Sequence, residues 1–200
     1  WSVYKMKIKV AVLFGGRSVE HEISIISAIQ AIGYINSEKY DVIPVYMTKN
    51  NEMYVGEDIG DIENYKDIDS LVKKSTKVIF VNENNRTAIV KYPFKVFKNN
   101  VVDYIDVAFP IVHGTNVEDG TLQGFLHTLN LPFVGCDVTS SALGMDKYAM
   151  KAMLKYNDVP ILDCKFIYTK DYDNAPDEVI SQIESDIGYP VIVKPYNLGS

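Results

Sequence analysis

The chain has 200 residues, of which 47% are hydrophobic and 23% charged, and a formal net charge of −6 at pH 7. This composition is typical of a globular protein with one or two domains and a buried core. The acidic balance argues against nucleic acid or an anionic membrane as the main partner, because both select a positively charged surface.

The first elements predict a β-α-β unit. Residues 7–14, KIKVAVLF, form a short apolar run that predicts a buried strand ending at Gly15-Gly16. Ser18 is the expected N-cap of the helix that follows. That helix carries one apolar stripe, made of Ile25, Ala28, Ile29, Ile32 and Ile35. Residues 40–48 predict a second strand, which should lie parallel to the first with a right-handed crossover.

The middle of the chain predicts further strands and helices. Residues 61–74 predict a weak helix, and the strands at 76–81 and 87–92 flank a turn-like NENNR, which predicts a hairpin at a sheet edge or in a side excursion. The remaining elements are one strand over 101–112, a helix over 121–129 and a short strand over 131–135.

A new unit is expected to begin after about residue 135. It contains one helix over 139–157, a strand over 160–168, a helix over 175–187 and a strand over 189–195. A strand that runs into a glycine loop needs neighbours to pair with, so we expect the chain to be the front part of a longer protein. Cys136 and Cys164 lack metal-ligand spacing, and we expect both to be buried thiols.

The segment FGGRSVEHEISIIS places a Gly-Gly pair between a strand and a helix. This arrangement presents backbone N–H groups to a ligand, although it matches neither the dinucleotide fingerprint nor the phosphate loop. Glu20 and Glu22 lie in the first helical turn. They either complement the helix dipole or hold a cationic partner such as an amino group, and the spacing alone leaves both interpretations open.

The segment VHGTNVEDGTLQGF, residues 112–125, places His113 at the carboxyl end of a predicted strand. Ligands bind at such ends in open α/β sheets, and the Gly15-Gly16 turn is another of them. His113 could also be an ordinary strand-terminal residue, with Glu118 and Asp119 as helix N-terminal charges. Two polar clusters at strand ends of one sheet favour a binding site.

Two lysines stand near helix or loop boundaries. Lys147 lies in MDKYAMK, where a solvated lysine would be unremarkable. Lys194 follows a predicted buried strand and precedes a Gly-Ser loop, which is an arrangement suited to a phosphate group. The alternative for Lys194 is a mere strand-end charge.

Taken together, LFGGRSVEHEIS, HGTNVEDGTLQG, GCDVTSSALGMDK and VIVKPYNLGS resemble the D-alanine–D-alanine ligase family, including relatives that make D-Ala–D-Ser or D-Ala–D-lactate. The resemblance covers nearly the whole chain. It implies an α/β fold in which an open, mostly parallel sheet, the pre-ATP-grasp domain, spans 6–135. The first part of an ATP-grasp fold, truncated, would follow over 136–200.

The resemblance also implies roles for residues of the amino-acid site. Glu22 matches the glutamate that holds the amino group of the first D-alanine. His113 matches the substrate-site histidine, and Glu118 the acidic residue that supports it. Val117 stands where many members have glycine, which bears on the turn because valine resists positive φ.

For the nucleotide, the resemblance implies that Lys147 and Lys194 contact phosphates of ATP. Ser200 matches the loop serine that joins Glu22 in closing the site. ATP and Mg²⁺ or Mn²⁺ are the implied cofactors, and no metal ligand is expected within this chain.

The implied function is ATP-dependent formation of a dipeptide for peptidoglycan through an acyl phosphate, with D-alanine and ATP as partners. The implied protein is a cytoplasmic homodimer that binds neither nucleic acid nor membrane, and this chain alone is expected to be inactive. Two alternatives remain. One is a standalone α/β small-molecule binding module, and the other is a different ATP-grasp ligase or carboxylase, which would share the fold but not the EHEIS and HGxxxEDG pair.

Overall fold

The computed structural model describes residues 6–198, which divide into two compact units, one ending at Ala142 and the other comprising Leu143–Leu198. The domain boundary expected between residues 135 and 136 stays a prediction. The helices are α1 His21–Tyr34, α2 Ile68–Lys74, α3 Thr121–Thr128, α4 Val138–Met145, α5 Lys147–Tyr156, α6 Thr169–Asn174 and α7 Pro176–Asp186. None of the helices within this range is both long and apolar enough to cross a membrane.

The first unit is built on one sheet of seven strands. These are β1 Ile8–Gly15, β2 Tyr40–Met47, β3 Met53–Val55, β4 Thr76–Glu83, β5 Arg86–Lys91, β6 Val101–Ile105 and β7 Val107–Pro110. Their spatial order is β6-β5-β4-β3-β2-β1-β7. Two 3₁₀ segments, Glu57–Gly60 and Ile62–Asp67, precede α2 and replace the first half of the weak helix expected there.

The α/β class is confirmed, and the sheet is mixed. Among the seven strands of residues 6–198, β1 pairs in parallel with β2 on one side and β7 on the other, while the other four strand pairings are antiparallel. The expected parallel arrangement therefore holds for three strands. A short connection forces the antiparallel pairing of the β4–β5 hairpin, where Asn84 and Asn85 adopt φ of 52° and 62°. That hairpin lies inside the strand order rather than at its edge.

The single strand expected over 101–112 is wrong, because the chain changes partner at Asp106. β6 pairs with β5, whereas β7 pairs with β1. The Asp106 N–H donates to the Lys9 carbonyl at 3.0 Å, and Asp106 Oδ2 accepts from the Lys9 N–H at 2.8 Å. β6 and β7 are the two outermost strands of the sheet, and along the chain only Asp106 separates them. The two ends of the sheet therefore meet beside β1, and the sheet curls.

Both faces of the sheet are buried, as the apolar run of β1 predicts. Along β1, Ala11 and Leu13 join one apolar core, and the alternate residues Val10, Val12 and Phe14 join the other. Leu122 and Leu126 of α3 belong to the first core. The predicted apolar stripe of α1 covers the second core through Ile25 and Ala28.

The second unit departs from the expected elements. The helix predicted over 139–157 is two helices, because the Asp146 carboxylate accepts the N–H groups of Tyr148 and Ala149 and starts α5. The helix predicted over 175–187 is confirmed as α7. The strands predicted over 160–168 and 189–195 do not form: among residues 6–198 neither segment finds a paired strand, and a strand needs such a partner for its backbone groups.

Three smaller predictions are also corrected. The short strand over 131–135 is reduced to one bridge between Phe133 and Ala108. Cys136 and Cys164 are exposed rather than buried, because Cys164 lies where the predicted strand over 160–168 does not form and Cys136 lies in the irregular segment before α4. Ser18 does not cap α1: its hydroxyl accepts the N–H of Glu20, before the helix begins.

We predict that Leu13→Ala lowers the free energy of unfolding of the first unit by about 2–5 kcal/mol, because its fully buried side chain would leave a cavity in a core that cannot collapse completely. Ile8→Ala, at an exposed position of the same strand, is the control and should cost about 0.5 kcal/mol. Urea denaturation measures both, and equal losses would contradict the assignment of Leu13 to the core.

Candidate functional site

The end of β1 turns sharply through two glycines. Gly15 and Gly16 adopt φ of 88° and 86°, a left-handed conformation that favours glycine. The Gly16 N–H donates to the carbonyl of Met47, the last residue of β2, at 2.8 Å. A Cβ on Gly15 would lie 2.3 Å from the same carbonyl oxygen. The turn therefore requires glycine and brings the carboxyl ends of β1 and β2 together.

A buried serine ties the ends of β1 and β7 to α1. The Ser24 Oγ accepts the Gly15 N–H at 2.8 Å, and its O–H donates to the carbonyl of Ile111 at 2.6 Å. Ser24 is fully buried, so water cannot replace these bonds. The first turn of α1 is thereby fixed over the strand ends.

His21, also fully buried, fixes the same turn. Its Nδ1 lies 2.7 Å from the Gly16 carbonyl oxygen, which can only accept, so Nδ1 carries the proton. Its Nε2 lies 3.0 Å from the Tyr46 hydroxyl and accepts from it. Burial, with a smaller effect of the Glu22 charge, raises the pKa of Tyr46 to about 12, so this hydroxyl keeps its proton.

Sequence reasoning missed His21 and Ser24, although a signal was present. Both residues share the helix face of Ile25 and Ala28, at spacings of three, four and seven residues. A polar residue inside an apolar stripe must find a partner when it is buried. Polar residues on an apolar helix face therefore predict that His21 and Ser24 form buried hydrogen bonds that hold the site in place.

The two glutamates at the start of α1 have different environments. Glu22, the residue predicted to hold an amino group, is exposed, and its Oε1 lies 2.6 Å from Lys49 Nζ. The hydrogen bond from Lys49 holds the pKa of the Glu22 carboxyl below its usual value. In Glu20, by contrast, Oε2 is buried and has no hydrogen-bond partner within residues 6–198.

His113 lies just beyond β7, at the strand ends, as predicted. Its Nε2 lies 3.1 Å from Ser27 Oγ on α1. Glu118, predicted to support this histidine, accepts the N–H of Gly114 through its carboxylate, and its own N–H donates to the Gly114 carbonyl. In the described part of the chain, Glu118 contacts the backbone next to His113 and forms no direct hydrogen bond with the histidine, and its supporting role stays a prediction.

The turn after His113 accommodates valine without strain. The left-handed positions of this segment are Gly114, Asn116 and Gly120, and Val117 is not among them. Val117 is instead buried in the first core. The substitution of valine for glycine thus leaves the turn conformation intact.

The predicted nucleotide residues lie in the second unit. Lys147 begins α5, and its Nζ donates to the carbonyl of Leu198 at 2.6 Å. Lys194 is exposed and forms no hydrogen bond with another described residue. Ser200 lies outside the described residues. Glu22, His113 and Glu118 are thus grouped at the strand ends of the first unit, and Lys147 and Lys194 share the other unit.

Two family models match the chain. One, described as the D-ala D-ala ligase N-terminus, matches residues 9–136, and the other, the D-ala D-ala ligase C-terminus, matches residues 153–200.

Among curated relatives, the D-alanine--D-alanine ligase of Thermosipho melanesiensis is 40% identical over 193 residues, covering 96% of this chain and 50% of that protein. The enzyme of the same name from Caldicellulosiruptor bescii is 41% identical over 199 residues, covering 97% and 51%. The chain spans about half the length of these relatives.

Solved structures show the same similarity. The D-Alanine-D-Alanine Ligase from Helicobacter pylori has a TM-score of 0.79 at 28% identity, covering 96% of this chain and 54% of that one. The VanG D-Ala:D-Ser Ligase from Enterococcus faecalis has a TM-score of 0.71 at 30% identity, covering 98% and 54%.

We predict that Ser24→Ala lowers the free energy of unfolding of the first unit by about 1–3 kcal/mol, because it leaves the Gly15 N–H and the Ile111 carbonyl buried without a partner. Ser27→Ala, on the same helix but only half-buried, is the matched control and should cost about 0.5 kcal/mol. Urea denaturation of both variants distinguishes the two environments.

A second prediction concerns the charge of Glu22. Lys49→Met should raise the pKa of Glu22 towards the ordinary glutamate value, and Lys66→Met, which removes an exposed cation elsewhere, should not. A lowered pKa favours the folded state above the pKa of the unfolded carboxyl, and this gain disappears as the pH falls through the lower folded value. The pair is exposed, so the gain is small. An NMR titration of the Glu22 carboxyl carbon measures the shift, and an unchanged pKa in Lys49→Met would contradict the assignment.

Proposed function

The chain belongs to the D-alanine–D-alanine ligase family, and we propose from that membership that its first unit forms the amino-acid site of an enzyme that joins two D-alanines with hydrolysis of ATP. The observation that carries this proposal is the buried, unpartnered carboxylate oxygen of Glu20 at the strand ends. A buried acceptor without a donor is costly, and the ammonium group of an amino acid would supply the donor.

Glu20 suits the ammonium of the first D-alanine better than Glu22 does. Glu22 is exposed and its charge is already paired with Lys49, so it has less need of a second cation than a buried, unpaired carboxylate has. Glu20 lies over Gly114, whose missing side chain makes room for its carboxylate: a Cβ there would be 2.8 Å from Glu20 Oε2. The role of Glu22 stays a prediction that the experiment below also tests.

The proposed reaction has two steps. The carboxylate of the first D-alanine takes the terminal phosphoryl group of ATP, forming an acyl phosphate and ADP. The amine of the second D-alanine then attacks the acyl carbon, loses a proton and displaces phosphate. The contribution of Glu20 and His113 is to hold the first amino acid in one orientation, which converts an encounter into a positioned reaction.

We propose that Lys147 and Lys194 bind phosphate oxygens of ATP, as the resemblance implies, and that Ser200 closes the site. The exposed ammonium of Lys194 supports this role, and Lys147, which donates one N–H to the Leu198 carbonyl, keeps two further donors for a phosphate. Mg²⁺ would neutralise phosphate charge. Within residues 6–198, no group of three or more His, Cys, Asp or Glu side chains is placed to hold a metal.

Family membership alone supports the remaining proposals. These are D-alanine as the second substrate, a role in peptidoglycan synthesis, a cytoplasmic location and a homodimeric enzyme. The D-Ala:D-Ser ligase among the similar structures makes D-serine the natural competitor in a substrate test.

We predict that Glu20→Gln in the intact enzyme weakens D-alanine binding about 10- to 150-fold, because a charge-assisted bond contributes about 1.5–3 kcal/mol. Glu22→Gln is the matched control on the same helical turn and should remain near wild type. The Michaelis constant for ATP should not change in either variant. Release of ADP that depends on D-alanine measures these effects, followed first at varied D-alanine with saturating ATP and then at varied ATP with saturating D-alanine.

Each other outcome has a definite meaning. A loss confined to Glu22→Gln would return the ammonium site to Glu22. Binding of D-alanine without any ADP release by the wild-type enzyme would favour the small-molecule binding module over the ligase.

A further inference from the structure

Two loops at the strand ends approach each other very closely. The glycine loop, residues 15–20, follows β1, and the histidine loop, residues 113–120, precedes α3. At one contact, a Cβ on Gly16 would lie 2.6 Å from Val117 Cγ1. At another, a Cβ on Gly114 would lie 2.3 Å from Ser18 Oγ. Each loop thus places a glycine where the other loop inserts a side chain.

A hydrogen bond reinforces these two contacts. The Asn116 Nδ2 donates to the Arg17 carbonyl at 2.9 Å, between the two glycine contacts along both loops. Asn116 adopts φ of 66°, a left-handed conformation that asparagine tolerates better than most residues. Its own N–H donates to Asp119 Oδ2 at 2.7 Å, which holds the turn in shape.

Val117 is the fixed side of this arrangement. Only 2% of its surface is exposed, and it belongs to the first core together with Leu122 and Leu126 of α3. Its carbonyl accepts from Gln123 Nε2 at 3.2 Å, and Gln123 is buried as well. In the glycine loop, Ser24, Met47 and His21 hold the backbone of Gly15 and Gly16, whereas the exposed Arg17 and the half-buried Ser18 that follow have no comparable packing.

We propose that Asn116 and Val117 are positioning residues that hold the glycine loop against the histidine loop and so keep the Glu20 carboxylate beside Gly114. Neither residue contacts the substrate. Their effect passes through the loop backbone, since Glu20 is four residues beyond Gly16. This inference rests on the proposed function, in which Glu20 binds the ammonium of D-alanine.

The geometry explains why small changes here should affect binding. Removing the two methyl groups of Val117 opens a space directly opposite Gly16, into which the loop can move. A displacement of about 1 Å at a positioning group can cost about 100-fold in rate. Val117→Ala leaves Glu20 and His113 unchanged, so any effect on D-alanine must arise from their placement.

The test compares Val117→Ala with Val78→Ala in the intact enzyme. Val78, on β4, is equally buried in the same core, and its substitution removes the same two methyl groups away from both loops. We expect Val117→Ala to raise the Michaelis constant for D-alanine about tenfold, with that for ATP unchanged. Amide exchange at residues 15–19 should also become faster. Val78→Ala should lower thermal stability by a similar amount and alter neither readout.

A second variant keeps the proposal testable if Val117→Ala does not fold. Asn116→Asp removes the donor to the Arg17 carbonyl at an exposed position and retains a residue that tolerates left-handed φ. Like Val117→Ala, it should raise the Michaelis constant for D-alanine and make amide exchange at residues 15–19 faster. If both variants match Val78→Ala in the two readouts, Asn116 and Val117 have no positioning role and the proposal is overturned.

The two proposals fail in different ways. If the wild-type enzyme does not turn over D-alanine, the proposed function falls, while the exchange comparison still shows whether the two residues hold the loop. If turnover is present and loop exchange increases without any change in the D-alanine constant, the contact exists but does not position Glu20, which overturns this inference alone.

Discussion

The hydroxyl of Ser24 satisfies a constraint on which the rest of the site depends. Parallel strands that end beside one another leave backbone groups that need partners, and the first turn of α1 covers these ends. Ser24 supplies two of these partners, because its hydroxyl accepts the Gly15 N–H and donates to the Ile111 carbonyl, and His21 donates to the Gly16 carbonyl. Because these bonds fix where α1 begins, they also fix Glu22 and the contact of Ser27 with His113.

Charge is distributed unevenly around this fixed turn. Glu22 is neutralised by Lys49 at the surface, whereas Glu20 has a buried oxygen without a cation among the described residues. The neighbouring Tyr46 stays protonated because it is buried and because Glu22 disfavours a second negative charge. Within residues 6–198, Glu20 thus has a buried carboxylate oxygen without a donor, next to side chains of His21 and Ser24 that are paired, which is the pattern expected of a receptor for a cation.

The sequence predicts those features that depend on local periodicity, and fails where the partner is distant. The apolar run of β1 and the stripe of α1 predict two buried faces, and both are confirmed. The division between β6 and β7 depends on Asp106 meeting Lys9, almost a hundred residues earlier, and no local pattern reports that contact. The apolar segments at 160–168 and 189–195 satisfy strand propensity, but a strand requires a second strand. In the same way, the positions of Glu20 and Glu22 in the sequence could not reveal that Lys49 pairs with Glu22 and not with Glu20. The functional roles of the site residues stay predictions.

The meeting of the sheet ends at β1 also affects the order of synthesis and folding. β1 acquires β2 early, but its other neighbour, β7, leaves the ribosome about a hundred residues after it. At about 5–20 residues per second, one side of the most buried strand waits roughly 5–20 s for its partner. During that interval the backbone N–H and C=O groups along one edge of β1 have no native partner, so the nascent chain carries an open strand edge that chaperones would need to protect.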